Sequence, residues 1–117
     1  MNKQREYEKY IIEILKALRK IQPKIVMVFG SYINKTLNEN SDLDLLIVLD
    51  ENRIPASYDE KIEMKLKIRK AIREINRKVA IDILVFTLPE YEEFMRSESS
   101  FSKEIRETGK VVYEKAS

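Results

Sequence analysis

Three apolar runs interrupt a chain that otherwise mixes apolar and charged residues closely. They occupy residues 24–29, 43–49 and 79–86, where Val, Ile and Leu supply most positions. Continuous apolar runs of this length are typical of strands that are covered on both faces of a sheet. A shorter segment at residues 110–114 predicts a fourth strand.

Between these runs, apolar residues recur at the three- and four-residue spacing of amphipathic helices. The pattern predicts helices over residues 5–21, 58–76, 90–95 and 98–107. Residues 31–37 fit either a short helix or a turn.

Prolines, a serine and a glycine mark the ends of the predicted helices. Pro23 ends the first, because proline disfavours the helical conformation in the residue before it. Ser57 opens the second, Pro89 lies in the first turn of the third, and Gly109 ends the last. The order of elements predicts a small α/β or α+β domain, with a sheet of three or four strands flanked by helices.

The absence of two residue types restricts the chemistry. The 117 residues include no His and no Cys. A Ser-His-Asp triad, a thiol nucleophile, a disulfide framework and a Cys/His zinc site are therefore excluded. Catalysis must depend on carboxylates, Lys, Tyr, hydroxyls, backbone amides and a hard metal ion such as Mg²⁺, Mn²⁺ or Ca²⁺.

Length and charge are those of an ordinary globular domain. The 22 Lys and Arg against 20 Asp and Glu give a net charge of +2, too small an excess to indicate nucleic-acid binding by itself. We expect a single domain over residues 1–117. No apolar run approaches the ~20 residues of a membrane span, and no signal-peptide core is evident, so we expect a cytoplasmic protein with no membrane partner.

Acidic residues occur where buried strands do not normally carry charge. Asp44 and Asp82 each lie inside an apolar run, and Asp42 lies at the entry to the run that holds Asp44. Side chains alternate along a strand, so Asp42 and Asp44 point to one face, and Asp82 joins them if the two strands are neighbours. Three carboxylates repel each other strongly, and one or two divalent cations between them would relieve that repulsion.

Each acidic residue also has an ordinary interpretation. Asp42 suits a turn or the start of a strand. Asp44 and Asp82 suit charges that block aggregation at a sheet edge, or partners of a buried Lys or Arg. The metal-site hypothesis gains its weight from the combination of all three with the turn that precedes them.

That turn is Gly30-Ser31, directly after the first apolar run, and Gly30 is one of only two glycines. Glycine lets the backbone approach a ligand closely, and free amides with a Ser hydroxyl bind phosphate oxygens. An isolated Gly-Ser pair is common in loops. Beside a divalent-metal site, however, a phosphate-binding turn is what phosphoryl or nucleotidyl transfer requires.

In the segment VFGSYINKTLNENSDLDLLIV, ten residues separate Gly30-Ser31 from Asp42-x-Asp44. The segment resembles the signature of the minimal nucleotidyltransferases (MNT) of the DNA polymerase β superfamily. Asp82 in VAIDILVF and the C-terminal ETGKVVYE fit the same pattern. The resemblance spans about residues 10–115 and implies a polymerase-β-like fold with a small mixed sheet.

The resemblance implies a role for each of these residues. In that family the Gly-Ser turn holds the phosphates of a nucleoside triphosphate, which implies nucleotide binding by Gly30 and Ser31. The paired Asp ligate one or two Mg²⁺ ions, which implies metal binding by Asp42 and Asp44. The third carboxylate helps to bind the catalytic metal and assists deprotonation of the acceptor hydroxyl, which implies both for Asp82.

The resemblance also implies a partner. Small members of the family are often antitoxins encoded beside a HEPN-domain RNase toxin. They inhibit the toxin by transferring AMP from ATP to one of its tyrosines. Both a hetero-oligomer with such a toxin and a homo-oligomer remain open.

One departure from the family supports a second hypothesis. Members often carry Arg-Gly three and four positions beyond the Ser, where this chain has Asn34 and Lys35. Loss of the glycine stiffens the turn, and Lys35 supplies a point charge without the bidentate fork of Arg. The alternative is a non-catalytic antitoxin or binding subunit that occludes a HEPN partner, with a vestigial nucleotide site. A small-molecule nucleotidyltransferase is disfavoured, because such enzymes usually carry an extra helical domain.

Two further features have competing interpretations. Residues 61–78 contain eight Lys or Arg and two Glu, a pattern typical of a solvated helix face or of a surface that docks an acidic partner, RNA or phosphates. Tyr32, beside Ser31, is a candidate for lining the nucleotide pocket. Six Tyr and no Trp form no periodic stacking platform, so we expect no sequence-specific nucleic-acid recognition.

Overall fold

The computed structural model describes residues 3–30 and 42–116. In chain order these ranges contain α1 (Lys3–Ala17), a 3-10 helix (Arg19–Ile21), β1 (Ile25–Phe29), β2 (Leu43–Val48), α2 (Tyr58–Ala71), α3 (Arg73–Asn76), β3 (Ile81–Phe86), α4 (Leu88–Arg96), α5 (Ser100–Thr108) and β4 (Lys110–Glu114). All four predicted strands are present, whereas the short helix or turn expected at residues 31–37 lies outside the described residues. None of the helices in the described ranges is both long enough and apolar enough to traverse a membrane.

The four strands form one mixed sheet in the order β3-β2-β1-β4. β1 runs antiparallel to its neighbours β2 and β4, whereas β2 and β3 run parallel. Helices α2 and α3 make the crossover that a parallel connection requires. The expectation of a small mixed sheet flanked by helices is confirmed.

Different helices cover the two faces of the sheet. One set of alternate strand residues, including Val28, Leu45 and Ile83, packs against α1, α2 and α3 in the main core. The opposite set, including Leu46 and Val48, packs against α4 and α5 in a second cluster. Because β2 is buried from both sides, its apolar run is continuous rather than alternating.

The first helix is shorter than the predicted residues 5–21. α1 ends at Ala17, and a single 3-10 turn follows before Gln22, which adopts the left-handed conformation with φ 53° and ψ 60°. The N–H of Gln22 donates to the carbonyl of Arg19 at 3.2 Å. The helical segment ends before Pro23 as expected. It differs from the predicted helix in that its last turn is a tighter 3-10 turn.

The predicted helix over residues 58–76 is divided in two. Ile72 has φ −103° and ψ 12°, outside the α-helical region, and it separates α2 from α3. Ile68, Ile72 and Ile75 are nevertheless all buried. The break therefore preserves the apolar stripe that predicted the helix.

Side-chain caps fix the starts of α2 and α4. The N–H of Glu60 donates to Ser57 Oγ at 3.2 Å. At the start of α4, Glu90 Oε1 accepts the N–H of Thr87 at 2.9 Å and the ammonium of Lys61 at 2.7 Å. The second of these bonds ties α2 to α4 across the edge of the sheet.

Gly109 ends α5 where the last helix was expected to stop. Its φ is −66°, so the reason for glycine here is space rather than a left-handed backbone. A Cβ at this position would lie 2.7 Å from the carbonyl oxygen of Ile105 and 2.8 Å from Sδ of Met27. The close approach of the helix end to β1 therefore depends on the missing side chain.

Candidate active site

Asp44 and Asp82 lie side by side in the sheet. Asp44 on β2 is the register partner of Asp82 on β3, and neighbouring strands are about 4.8 Å apart. Both residues belong to the set that faces α4 and α5, two positions before Leu46 and Leu84 of that cluster. The structure thus brings together the two acidic residues that the sequence places in separate apolar runs.

Asp42 stands at the entry to β2, two residues before Asp44. Asp42 and Asp82 are exposed, whereas Asp44 is half-buried. We call these three residues the Asp cluster. β3 is an edge strand, so Asp82 is also placed where a charge blocks pairing with another sheet.

Repulsion within the Asp cluster acts most strongly on Asp44. Burial, and after it the charges of Asp82 and Asp42, raise the pKa of Asp44 from 3.8 to about 6. All three influences favour the protonated carboxyl. A cation bound among the carboxylates would reverse the repulsion, which makes the cluster suited to a metal ion.

Gly30 follows β1 and lies directly against Asp44. Its φ of 76° is left-handed, and a Cβ built on it would lie 2.2 Å from Oδ2 of Asp44. Any other residue would have to displace that carboxylate. The glycine expected to allow a close approach is therefore at the Asp cluster. Four other residues of interest in this loop lie outside the described residues: Ser31, Tyr32, Asn34 and Lys35.

A row of phenylalanine rings leads from the Asp cluster along the same face of the sheet. Phe29 is the register partner of Asp44, and its ring centre lies 5.7 Å from that of Phe101 on α5. Phe101 lies 5.7 Å from Phe94 on α4, which lies 5.1 Å from Phe86 on β3. The sequence pattern did not predict this row, because four separate elements supply the rings.

The sequence pattern of the family described as polymerase beta, nucleotidyltransferase matches residues 9–117. The chain belongs to this nucleotidyltransferase family. The match confirms the resemblance drawn from the Gly-Ser turn and the Asp-x-Asp motif. No curated protein matches the chain by sequence.

Solved structures share the fold of this nucleotidyltransferase. A candidate nucleotidyltransferase from Sulfolobus solfataricus has a TM-score of 0.64 at 18% identity, over 96% of this chain and 84% of that one. A toxin–antitoxin complex with AMP-PNP has a TM-score of 0.52 at 23% identity, over 92% and 73%. These two likenesses establish the fold. A tri-AMPylated HEPN toxin from Shewanella oneidensis in complex with an MNT antitoxin scores 0.47 at 20% identity, over 92% and 72%, too low to add to that conclusion.

Nucleotidyltransferases generally use a divalent metal ion, and the donor chemistry of the Asp cluster fits one. Carboxylate oxygens are the preferred protein ligands of Mg²⁺, and the Asp44 carboxylate fills the space that Gly30 leaves. Within residues 3–30 and 42–116, however, no three acidic side chains converge as a metal site. The arrangement is a neighbouring pair, Asp44 and Asp82, with Asp42 two residues before Asp44.

The basic residues of 61–78 are partly used inside the nucleotidyltransferase. Lys61 pairs with Glu90 at 2.7 Å and also donates to the carbonyl of Val85, whereas Lys78 pairs with Glu13 at 3.5 Å. These contacts fit the interpretation of the segment as a solvated helix face.

Proposed function

We propose that the chain is a Mg²⁺-dependent nucleotidyltransferase that transfers AMP from ATP to a tyrosine hydroxyl of a HEPN-type RNase toxin, and so acts as its antitoxin. One observation carries the proposal: Asp44 and Asp82 are direct neighbours, and Gly30 lies against the Asp44 carboxylate. On this proposal residues 1–117 are one nucleotidyltransferase domain.

At the α-phosphorus of ATP, the reaction forms one bond and breaks one. The acceptor hydroxyl oxygen bonds to the α-phosphorus of ATP, while the bond between that phosphorus and the oxygen bridging to the β-phosphate breaks. Pyrophosphate leaves with that electron pair, and the hydroxyl loses its proton. Asp82 takes this proton, because its exposed position on an edge strand is open to an acceptor brought by another protein.

The remaining residues bind and orient the substrate. Asp42 and Asp44 would hold Mg²⁺ with help from Asp82, and Gly30 and Ser31 would hold the phosphates. The chemistry that Mg²⁺ would supply when bound is neutralisation of the triphosphate charge and stabilisation of the leaving pyrophosphate. Because Gly30 has no side chain, its backbone lies directly against the Asp44 carboxylate.

A protein acceptor is favoured by two points. Asp42 and Asp82 are exposed, and Asp82 lies on an edge strand of the sheet, so that a partner's side chain has access. A toxin–antitoxin complex with AMP-PNP has the same fold, and adenylyl transfer to a toxin is the activity that the MNT resemblance implies.

The test is transfer of label from ATP marked at its α-phosphate to the product of the neighbouring gene, in the presence of Mg²⁺. We expect label on a tyrosine of that partner. Asp42→Asn combined with Asp44→Asn should abolish the transfer. Asp59→Asn, which changes an exposed acidic residue on α2, is the matched control and should leave the transfer unchanged.

Two results would contradict the proposal. The first is no transfer by the wild-type chain, and the second is transfer that the double substitution leaves intact. If the double variant still neutralised the toxin at equal protein levels, the antitoxin would act by occluding its partner rather than by catalysis.

A further inference from the structure

One ring of the phenylalanine row has no role in the function proposed above. Phe101 is 41% exposed, although it belongs to the aromatic cluster between α4, α5 and the sheet. Phe29, Phe86 and Phe94 are all more shielded from solvent. Phe101 is therefore the ring of the row that is most accessible from solvent.

This open ring lies close to the Asp cluster. Phe29 and Asp44 are register partners, and partners in an antiparallel pair point to the same face. Phe101 lies one ring beyond Phe29, at 5.7 Å. In a nucleotide the base and the α-phosphate are separated by a single ribose, so phosphates bound at Asp44 place the base in reach of this ring.

The ring of Phe101 is held in place before any ligand arrives. Phe29 and Phe94 both contact it edge to face, with interplanar angles of 70° and 71°. A ring that is already fixed loses little conformational entropy when a ligand stacks on it. The fixed ring of Phe101 is therefore better suited to binding a ligand than a freely rotating surface side chain would be.

We propose that Phe101, supported by Phe29, is the platform on which the base of the nucleoside triphosphate stacks, and that it favours purines. The inference rests on the function proposed above, because it requires the phosphates at the Asp cluster. All bases have a π-face, but a purine covers more of the ring than a pyrimidine. Stacking alone does not read the edge of the base, so ATP and GTP should bind alike.

The experiment is calorimetric titration of the whole chain, in Mg²⁺, with non-hydrolysable analogues of ATP, GTP, CTP and UTP. The wild type should bind both purine analogues several-fold more tightly than the pyrimidine analogues. Phe101→Leu keeps an apolar side chain but removes the flat face. It should weaken purine binding about tenfold, within the range for loss of one base–aromatic stack, and remove the preference. Phe101→Tyr should retain both the tight binding of purines and the preference for them.

Leu66→Ala is the matched control, because Leu66 is also apolar and 57% exposed but lies on α2. It should bind all four analogues as the wild type does. Wild-type affinity in Phe101→Leu, or equal affinities of the wild type for purines and pyrimidines, would overturn this inference alone. Failure of the wild type to bind any analogue would overturn the proposed function and this inference with it. If Phe101→Leu does not fold, the inference is still tested by the purine preference of the wild type and by its retention in Phe101→Tyr.

Discussion

The carboxylate of Asp44 destabilises the metal-free protein, because it is partly buried and lies near the charges of Asp82 and Asp42. The other positions of β2 are buried and apolar. Its pKa of about 6 means that the folded chain holds the Asp44 proton more tightly than the unfolded chain does. At neutral pH the group is charged in both states, and the folded state bears the unfavourable interactions.

Asp44→Asn should therefore raise the melting temperature of the metal-free protein at neutral pH. After allowance for the partial exposure of the carboxylate, we expect about 1 kcal/mol, or roughly 4 °C for a domain of this size. The folded pKa of about 6 exceeds the ordinary 3.8, so the wild type loses stability as pH rises through this window. The gain in melting temperature of Asp44→Asn over the wild type should be complete above a pH of about 6 and should vanish below a pH of 3.8.

Thermal unfolding in chelator, followed by circular dichroism across this pH range, measures the effect. Asp59→Asn, exposed on α2, should show no comparable gain at any pH. A melting temperature of Asp44→Asn below that of the wild type at neutral pH would refute the electrostatic account.

Gly30→Ala tests the backbone beside the Asp cluster. The left-handed conformation of Gly30 costs another residue about 1–2 kcal/mol, and the new Cβ would displace the Asp44 carboxylate. We expect lower stability together with loss of Mg²⁺-dependent binding of an ATP analogue. Gly109→Ala is the matched control, since its Cβ would meet Ile105 and Met27 and lower stability alone. Normal nucleotide binding by Gly30→Ala would count against the proposed phosphate turn.

At the scale of elements, apolar periodicity predicted the strands well and the helix ends less well. Continuous apolar runs identified β1, β2 and β3 because helices pack against both faces of the sheet. The break at Ile72 was not predictable, because the residue keeps its apolar identity and its burial while leaving the helical conformation. The 3-10 turn before Gln22 was missed for a similar reason, because the helix tightens there without a change in the spacing of apolar residues.

The candidate site was predictable only in part. The position of Asp44 and Asp82 within apolar runs marks them from sequence, but their direct pairing depends on β2 and β3 being parallel neighbours in register. The Phe29–Phe101 contact joins residues far apart in the chain, and no local pattern encodes it. Long-range pairing is thus what the sequence alone leaves undetermined.

Glu90→Ala tests how α4 is fixed over the sheet. Burial would raise the pKa of Glu90, but Lys61 and Thr87 outweigh burial and lower it. The stabilisation should therefore be present above the ordinary pKa of 4.5 and be lost as pH falls through the lowered value. We expect the substitution to cost about 1–2 kcal/mol at neutral pH.

Urea unfolding at neutral and acidic pH measures this difference. Glu92→Ala changes an exposed residue of the same helix and should have little effect. Equal losses for the two variants at neutral pH would show that the cap and the Lys61 pair do not hold α4.

At the scale of the whole molecule, the two faces of the sheet have different tasks. α1, α2 and α3 cover one face and supply the main core. On the other face α4 and α5 cover Leu46 and Val48, while two members of the Asp cluster stay exposed. On the proposed function, the exposed Asp42 and Asp82 are the side chains that a nucleotide and a partner's hydroxyl would reach from solvent.

Binding of Mn²⁺ together with a non-hydrolysable ATP analogue, followed by electron paramagnetic resonance, tests the central claim most directly. The account predicts that the wild-type chain binds at least one Mn²⁺ ion, that Asp44→Asn and Asp82→Asn each lose most of this binding, and that Asp59→Asn retains it. Equal Mn²⁺ binding by the wild type and both site variants would contradict the account.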